Sequence, residues 1–166
     1  KIIVIDHHRT GDHAIESMFS YVESSASSTI ELLIELINFF QEKVDITPYE
    51  ASIMYAGLLV DTNTFTYRTS ARTFEVASKL KELGADGIEV KAWLRNDVLR
   101  TLEINKVTSQ MEIYMDRFAI VASEQIYDDR SFLAQVSENL LNIKNIDAAF
   151  TITRLNESTI GISARS

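Results

Sequence analysis

The stretch Lys1-Ile2-Ile3-Val4-Ile5-Asp6-His7-His8-Arg9 decides the fold. Four β-branched apolar residues run without polar alternation into four charged or titratable ones. Such a run is the mark of a strand buried on both faces, as in the parallel sheet of an α/β protein. Ligands bind such sheets just beyond the carboxyl ends of the strands. Asp6 to Arg9 are therefore expected at that edge. A central strand also needs neighbours, so its place at the start of the chain predicts that upstream sequence completes the sheet.

The remaining composition narrows the class. With 166 residues, 46% of them hydrophobic, the chain can build one good core or two small ones. No apolar run approaches the roughly 18 residues needed to span a bilayer, and no basic-then-apolar leader is present. Cysteine is absent, so disulfides and thiolate-bound zinc are excluded, and any metal must be held by oxygen and imidazole. A formal charge of −8 argues against a surface that tracks long duplex nucleic acid, which needs a basic stripe. A polyanionic substrate would need local cations.

After the first strand, residues 10–22 read as irregular, broken by Gly11. Ser28 followed by Glu31 fits a capping box, and Ile30, Leu33, Ile34 and Ile37 carry helical spacing. The sole proline, Pro48, follows Thr47 and fits the first position of a second helix ending at Val60. Another helix should close at Gly84. Helical patterning then continues over 87–95 and about 97–115. Beyond Arg117 the order is strand, helix, and two strands joined by a polar turn near Asn156. The expected organisation is 1–96, a connecting helix over 97–116, and a smaller α/β portion over 117–166.

Two motifs carry chemistry. An aspartate beside a neutral imidazole can fix its tautomer, which suits His7 as a metal ligand with Asp6 as its orienter and leaves His8 and Arg9 to face a phosphate. A polar loop at a strand end accounts for the same residues without chemistry. Asp61, in Gly57-Leu58-Leu59-Val60-Asp61-Thr62, falls near a helix C-terminus, where the macrodipole disfavours an anion. Something should compensate it; the candidates are a metal shared with His7 and a simple turn-forming role. Arg68, Arg72 and Arg165 could bind phosphate or pair with carboxylates. His13 has no partner at a telling spacing and reads as a surface residue, and Phe65 and Tyr67 read as core.

Taken together, Ile2-Ile3-Val4-Ile5-Asp6-His7-His8-Arg9, the serine-rich Glu23 to Leu32, Gly57 to Phe65, Arg72-Thr73-Phe74 and Leu83-Gly84-Ala85-Asp86 resemble the DHH phosphoesterase superfamily across residues 1 to about 90. The ending Ile162-Ser163-Ala164-Arg165-Ser166 resembles the start of the DHH-associated domain. Within the superfamily the likeness is to the GdpP-type cyclic-di-AMP phosphodiesterases.

That resemblance implies a parallel-sheet α/β catalytic domain, present in part, joined by a helix to the beginning of a substrate-binding domain. It implies that His7 and Asp61 ligate one Mn²⁺ of a two-metal centre, with Mg²⁺ or Co²⁺ as alternatives, and that Asp6 supports the ligands. His8, Arg9 and Arg165 would address substrate phosphate, and cyclic-di-AMP would open to pApA. A homodimeric parent with a cytoplasmic catalytic portion, membrane-anchored through upstream segments, is implied as well. The family's upstream His-x-x-x-Asp-x-Asp motif, its middle bridging aspartate and its glycine-rich segment do not occur here. The 166 residues alone are therefore expected to be inactive. Two other readings stay open: a nanoRNase or 3′-phosphoadenosine-5′-phosphate phosphatase acting on short substrates, and an inert nucleotide-binding or assembly module.

Overall fold

β1 (Ile3–Asp6) pairs in parallel with β2 (Phe19–Val22), Ile3 opposite Phe19 and Asp6 opposite Val22. Both strands belong to a computed structural model that describes residues 1–9, 11, 15–40 and 44–166. His13 lies outside the described residues. The reading of 10–22 as irregular is corrected by β2: Phe19, Tyr21 and Val22 are strand formers, but the four-residue run is too short to stand out in the sequence. Burial of β1 on both faces, expected for the strand with all its neighbours, is not reached among the described residues. Ile3 is 61% exposed, because among the described residues β1 has one neighbouring strand and one helix against it.

That helix is α1 (Thr29–Phe39), capped by Ser28, whose hydroxyl accepts from the N–H of Ile30 at 3.2 Å. Glu31 does not close a capping box here; it accepts from the N–H of Ser27, one residue before the cap. The reciprocal box stands instead at α2 (Pro48–Asp61), between Thr47 and Glu50. α3 (Ala71–Glu82) ends in a Schellman turn: Ala85 N–H donates to Leu80 and Gly84 N–H to Lys81, with Gly84 at φ +96°. α4 (Gly87–Trp93) follows. Ile34, Ala51, Leu58, Val76, Ala77, Leu80 and Ala85 form the core shared by α1, α2, α3 and the turn after α3.

The chain divides into two compact units, Lys1–Arg95 and Asn96–Ser166. The second opens with α5 (Val98–Thr108), shorter than the 97–116 helix expected from sequence. Its place is taken by β3 (Glu112–Tyr114), turned through Met115 and Asp116 at φ +53° and +58° into β4 (Phe118–Ile126). Left-handed backbone at two successive residues cannot continue a helix, which is why the apolar spacing misleads there. α5 packs against β4 and α6 (Arg130–Leu141), so it belongs to this unit's core. β5 (Ala148–Arg154) and β6 (Ile160–Arg165) complete a sheet ordered β3-β4-β5-β6, with β4 and β5 parallel and the outer pairs antiparallel. Phe132, Val136 and Leu140 of α6 bury against Val121 and Ala149 of the sheet and Val107 of α5.

Candidate metal and phosphate site

β1 ends at Asp6, and the next residues turn at the strand's carboxyl edge. His7 points inward and is 9% exposed, with Nδ1 2.9 Å from the Thr29 hydroxyl. His8 is exposed and folds back on Asp6: its backbone N–H and ring Nδ1 lie 3.1 and 2.7 Å from Asp6 Oδ1. The backbone N–H of His8, and then its ring, hold the Asp6 carboxyl below the ordinary carboxylate range. Asp6 therefore orients His8, and not His7 as the sequence spacing suggests. A carboxylate only accepts, so Nδ1 of His8 carries the proton and Nε2 is left for another partner. The two imidazoles sit with centroids 4.3 Å apart.

Asp61 is the last residue of α2, at the end of the helix where an anion is disfavoured. The compensation lies in α1. Ser28 Oγ donates to Asp61 Oδ2 at 2.5 Å, which places this carboxylate against the positive end of α1's macrodipole. His7 and Asp61 thus come from the turn after β1 and from the end of α2 yet are tied to consecutive residues, Thr29 and Ser28. After Asp61 the chain enters a left-handed turn, with Asn63, Thr64 and Phe65 at φ +44°, +56° and +62°. Buried Thr62 holds it, its hydroxyl donating to Leu58 and accepting from Phe65 N–H.

Behind α1, Arg72 joins three acids. It donates to Glu23 at 3.0 Å and Glu35 at 2.5 Å, and its Nε stands 3.9 Å from buried Glu31. Burial opposes the charge on Arg72, but the Glu23 hydrogen bond and the charges of Glu23, Glu35 and Glu31 outweigh it and raise the pKa. Arg72 is thereby a carboxylate partner. Ser27 Oγ donates to the Arg68 carbonyl and lies 2.9 Å from Thr73 Oγ1. The turn that opens α1 is anchored to α3. Neither Ser28 nor Thr29 stands out as a functional residue in the sequence; their one signal is the Ser27-Ser28-Thr29 run before an apolar helix.

Asp6, His7 and His8 offer one carboxylate oxygen and two ring nitrogens, all within 4.8 Å of one another. This donor set of oxygen and imidazole fits a divalent cation such as Mn²⁺. Arg9 is exposed beside them. Arg165 belongs to the second unit, where it closes β6, donates to the Ala164 carbonyl and stands 3.9 Å from Glu138.

Residues 1–58 match the DHH family, N-terminal domain. That match takes in β1, β2, α1 and most of α2. The chain is 65% identical over 165 residues to the membrane protein–large ribosomal subunit bL9 fusion protein of Aster yellows witches'-broom phytoplasma (strain AYWB), covering 99% of this chain and 19% of that protein. It is 38% identical over 169 residues to the cyclic-di-AMP phosphodiesterase GdpP of Bacillus subtilis (strain 168), covering 99% and 26%. The chain spans about a fifth to a quarter of the length of these curated relatives. An exopolyphosphatase-related protein from Bacteroides fragilis shares the fold, with a TM-score of 0.80 at 24% identity, over 99% of this chain and 50% of that one. Among the described residues, no helix is long and apolar enough to cross a membrane.

Proposed function

We propose that this chain belongs to the DHH family and supplies part of a metal-dependent phosphodiesterase that opens cyclic-di-AMP to pApA. In this reading residues 1–95 are catalytic and 96–166 begin the DHH-associated, substrate-binding domain. The observation that carries it is the gathering of Asp6, His7 and His8 at the carboxyl edge of β1, with Asp61 brought to the same helix end as His7.

His7 and Asp61 hold the cation, Mn²⁺ in this reading with Mg²⁺ and Co²⁺ as alternatives. Such an ion would acidify a water molecule and neutralise phosphoryl oxygens. Asp6 fixes the ring of His8 through Nδ1, and Nε2 donates to a substrate phosphate oxygen when the ring carries both protons. Arg9 supplies a planar fork matched to phosphate, and Arg165 keeps the substrate-binding role that the resemblance implies. The negative net charge fits a compact dinucleotide better than long duplex nucleic acid.

The deciding experiment incubates the full-length protein with Mn²⁺ and, separately, cyclic-di-AMP, pApA and 3′-phosphoadenosine-5′-phosphate, with products separated by chromatography. Conversion of cyclic-di-AMP to pApA, abolished by His7→Ala, is the expected result. Turnover of only the two linear substrates would replace it with the nanoRNase or phosphatase reading.

A further inference from the structure

The residues that open α1 do more than start a helix. A cap needs only an acceptor for a backbone N–H, and Ser28 provides one to Ile30. Its hydroxyl also donates to Asp61, a task that neither Asp nor Gly, both adequate caps, could perform. Thr29, one residue on, engages Nδ1 of His7 and leaves Nε2 as that ring's remaining coordinating atom. Ser27 and Ser28 are buried, and Ser27 is pinned by Glu31, Thr73 and Arg68, so both hydroxyls issue from a fixed turn.

The geometry points to Ser28 and Thr29 as a positioning pair that sets the orientation of two ligands arriving from different places in the chain, Asp61 from the end of α2 and His7 from the turn after β1. The inference rests on the metal-dependent reading above. Its chemistry is hydroxyl-specific: valine at 29 has threonine's shape and cannot hold the imidazole, whereas serine can.

The test is Mn²⁺ affinity of the full-length protein without substrate, read by electron paramagnetic resonance titration, beside the melting temperature of the metal-free form. Thr29→Val is expected to weaken Mn²⁺ binding by about 10–100-fold, the usual cost of losing a partner behind a ligand. Thr29→Ser should restore wild-type affinity, and both should melt near the wild-type temperature. Ser28→Gly, which keeps most of the capping, should weaken binding likewise, and Ser28→Thr should recover it. Wild-type affinity in both Thr29→Val and Ser28→Gly would overturn the pair's role and leave the metal reading standing. Equal weakening in Thr29→Val and Thr29→Ser would also overturn it, since the hydroxyl would then not matter. Absence of Mn²⁺ binding by the wild type would instead remove the reading on which the pair rests.

Discussion

Arg9, Asp6 and Asp61 differ in what each gives the site, and substitutions should separate them. Arg9→Lys keeps the charge but loses the fork, so KM for cyclic-di-AMP should rise while Mn²⁺ content stays unchanged. Loss of metal in that variant would assign Arg9 elsewhere. Asp61→Ala should abolish turnover, and Asp6→Asn should cost about 10–100-fold, since its carboxylate acts through His8. Steady-state kinetics of the full-length variants checks both. Side-chain type and strand position made Asp6, His7, His8, Arg9 and Asp61 visible in the sequence. The pairing did not follow: adjacency suggests Asp6 with His7, but alternation along the strand end sends His7 inward and leaves His8 to fold back.

Elements are joined around α1 by Arg72, and here acid sensitivity is expected. Hydrogen bonds from Ser25 and then from Arg72 hold the Glu23 carboxyl below its ordinary range. The stabilisation is therefore present above the unfolded pKa and lost as pH falls through the lower folded one. Glu23→Gln should lower stability at neutral pH and flatten its loss in acid, which urea denaturation at stepped pH would reveal. Unchanged acid behaviour would dissociate Glu23 from the network. At the end of α3, Gly84→Ala should cost about 1–2 kcal/mol, because an L residue at positive φ is strained and a Cβ there would stand 3.1 Å from Pro48 Cβ. Thermal melting measures it. Capping residues and breakers made α2 and α3 readable, with Pro48 and Gly84 as punctuation. β3 escaped because its three residues continue an apolar spacing begun in α5.

For the whole molecule, the relevant fact is that each unit has its own buried cluster. Residues 96–166 carry a four-stranded sheet with α5 and α6 against it, and Arg100 braces the latter through Asp129, Gln135 and Ser131. Expressed alone, residues 96–166 are expected to show a single cooperative melt with native far-ultraviolet dichroism. A non-cooperative melt would mean that this unit needs the first. The α/β class was legible from the Ile2 to Ile5 run and the strand-helix-strand order after Arg117. The partition at Arg95 was less so, since no glycine- or proline-rich linker marks it and the following helix has apolar residues on several sides.

The left-handed turn after Asp61 should leave a distinctive tolerance profile in a saturation mutagenesis library. α2 ends with the same pair of bonds as α3, Thr64 N–H to Leu59 and Asn63 N–H to Val60, but with asparagine where α3 has glycine. Glycine should be accepted at 63, 64 and 65, where it relieves strain, and proline should be lost from all three because it cannot reach positive φ. Library members enriched for glycine there would gain local ease at the risk of letting Asp61 wander, so selection for abundance and selection for turnover should favour different residues at the same three codons.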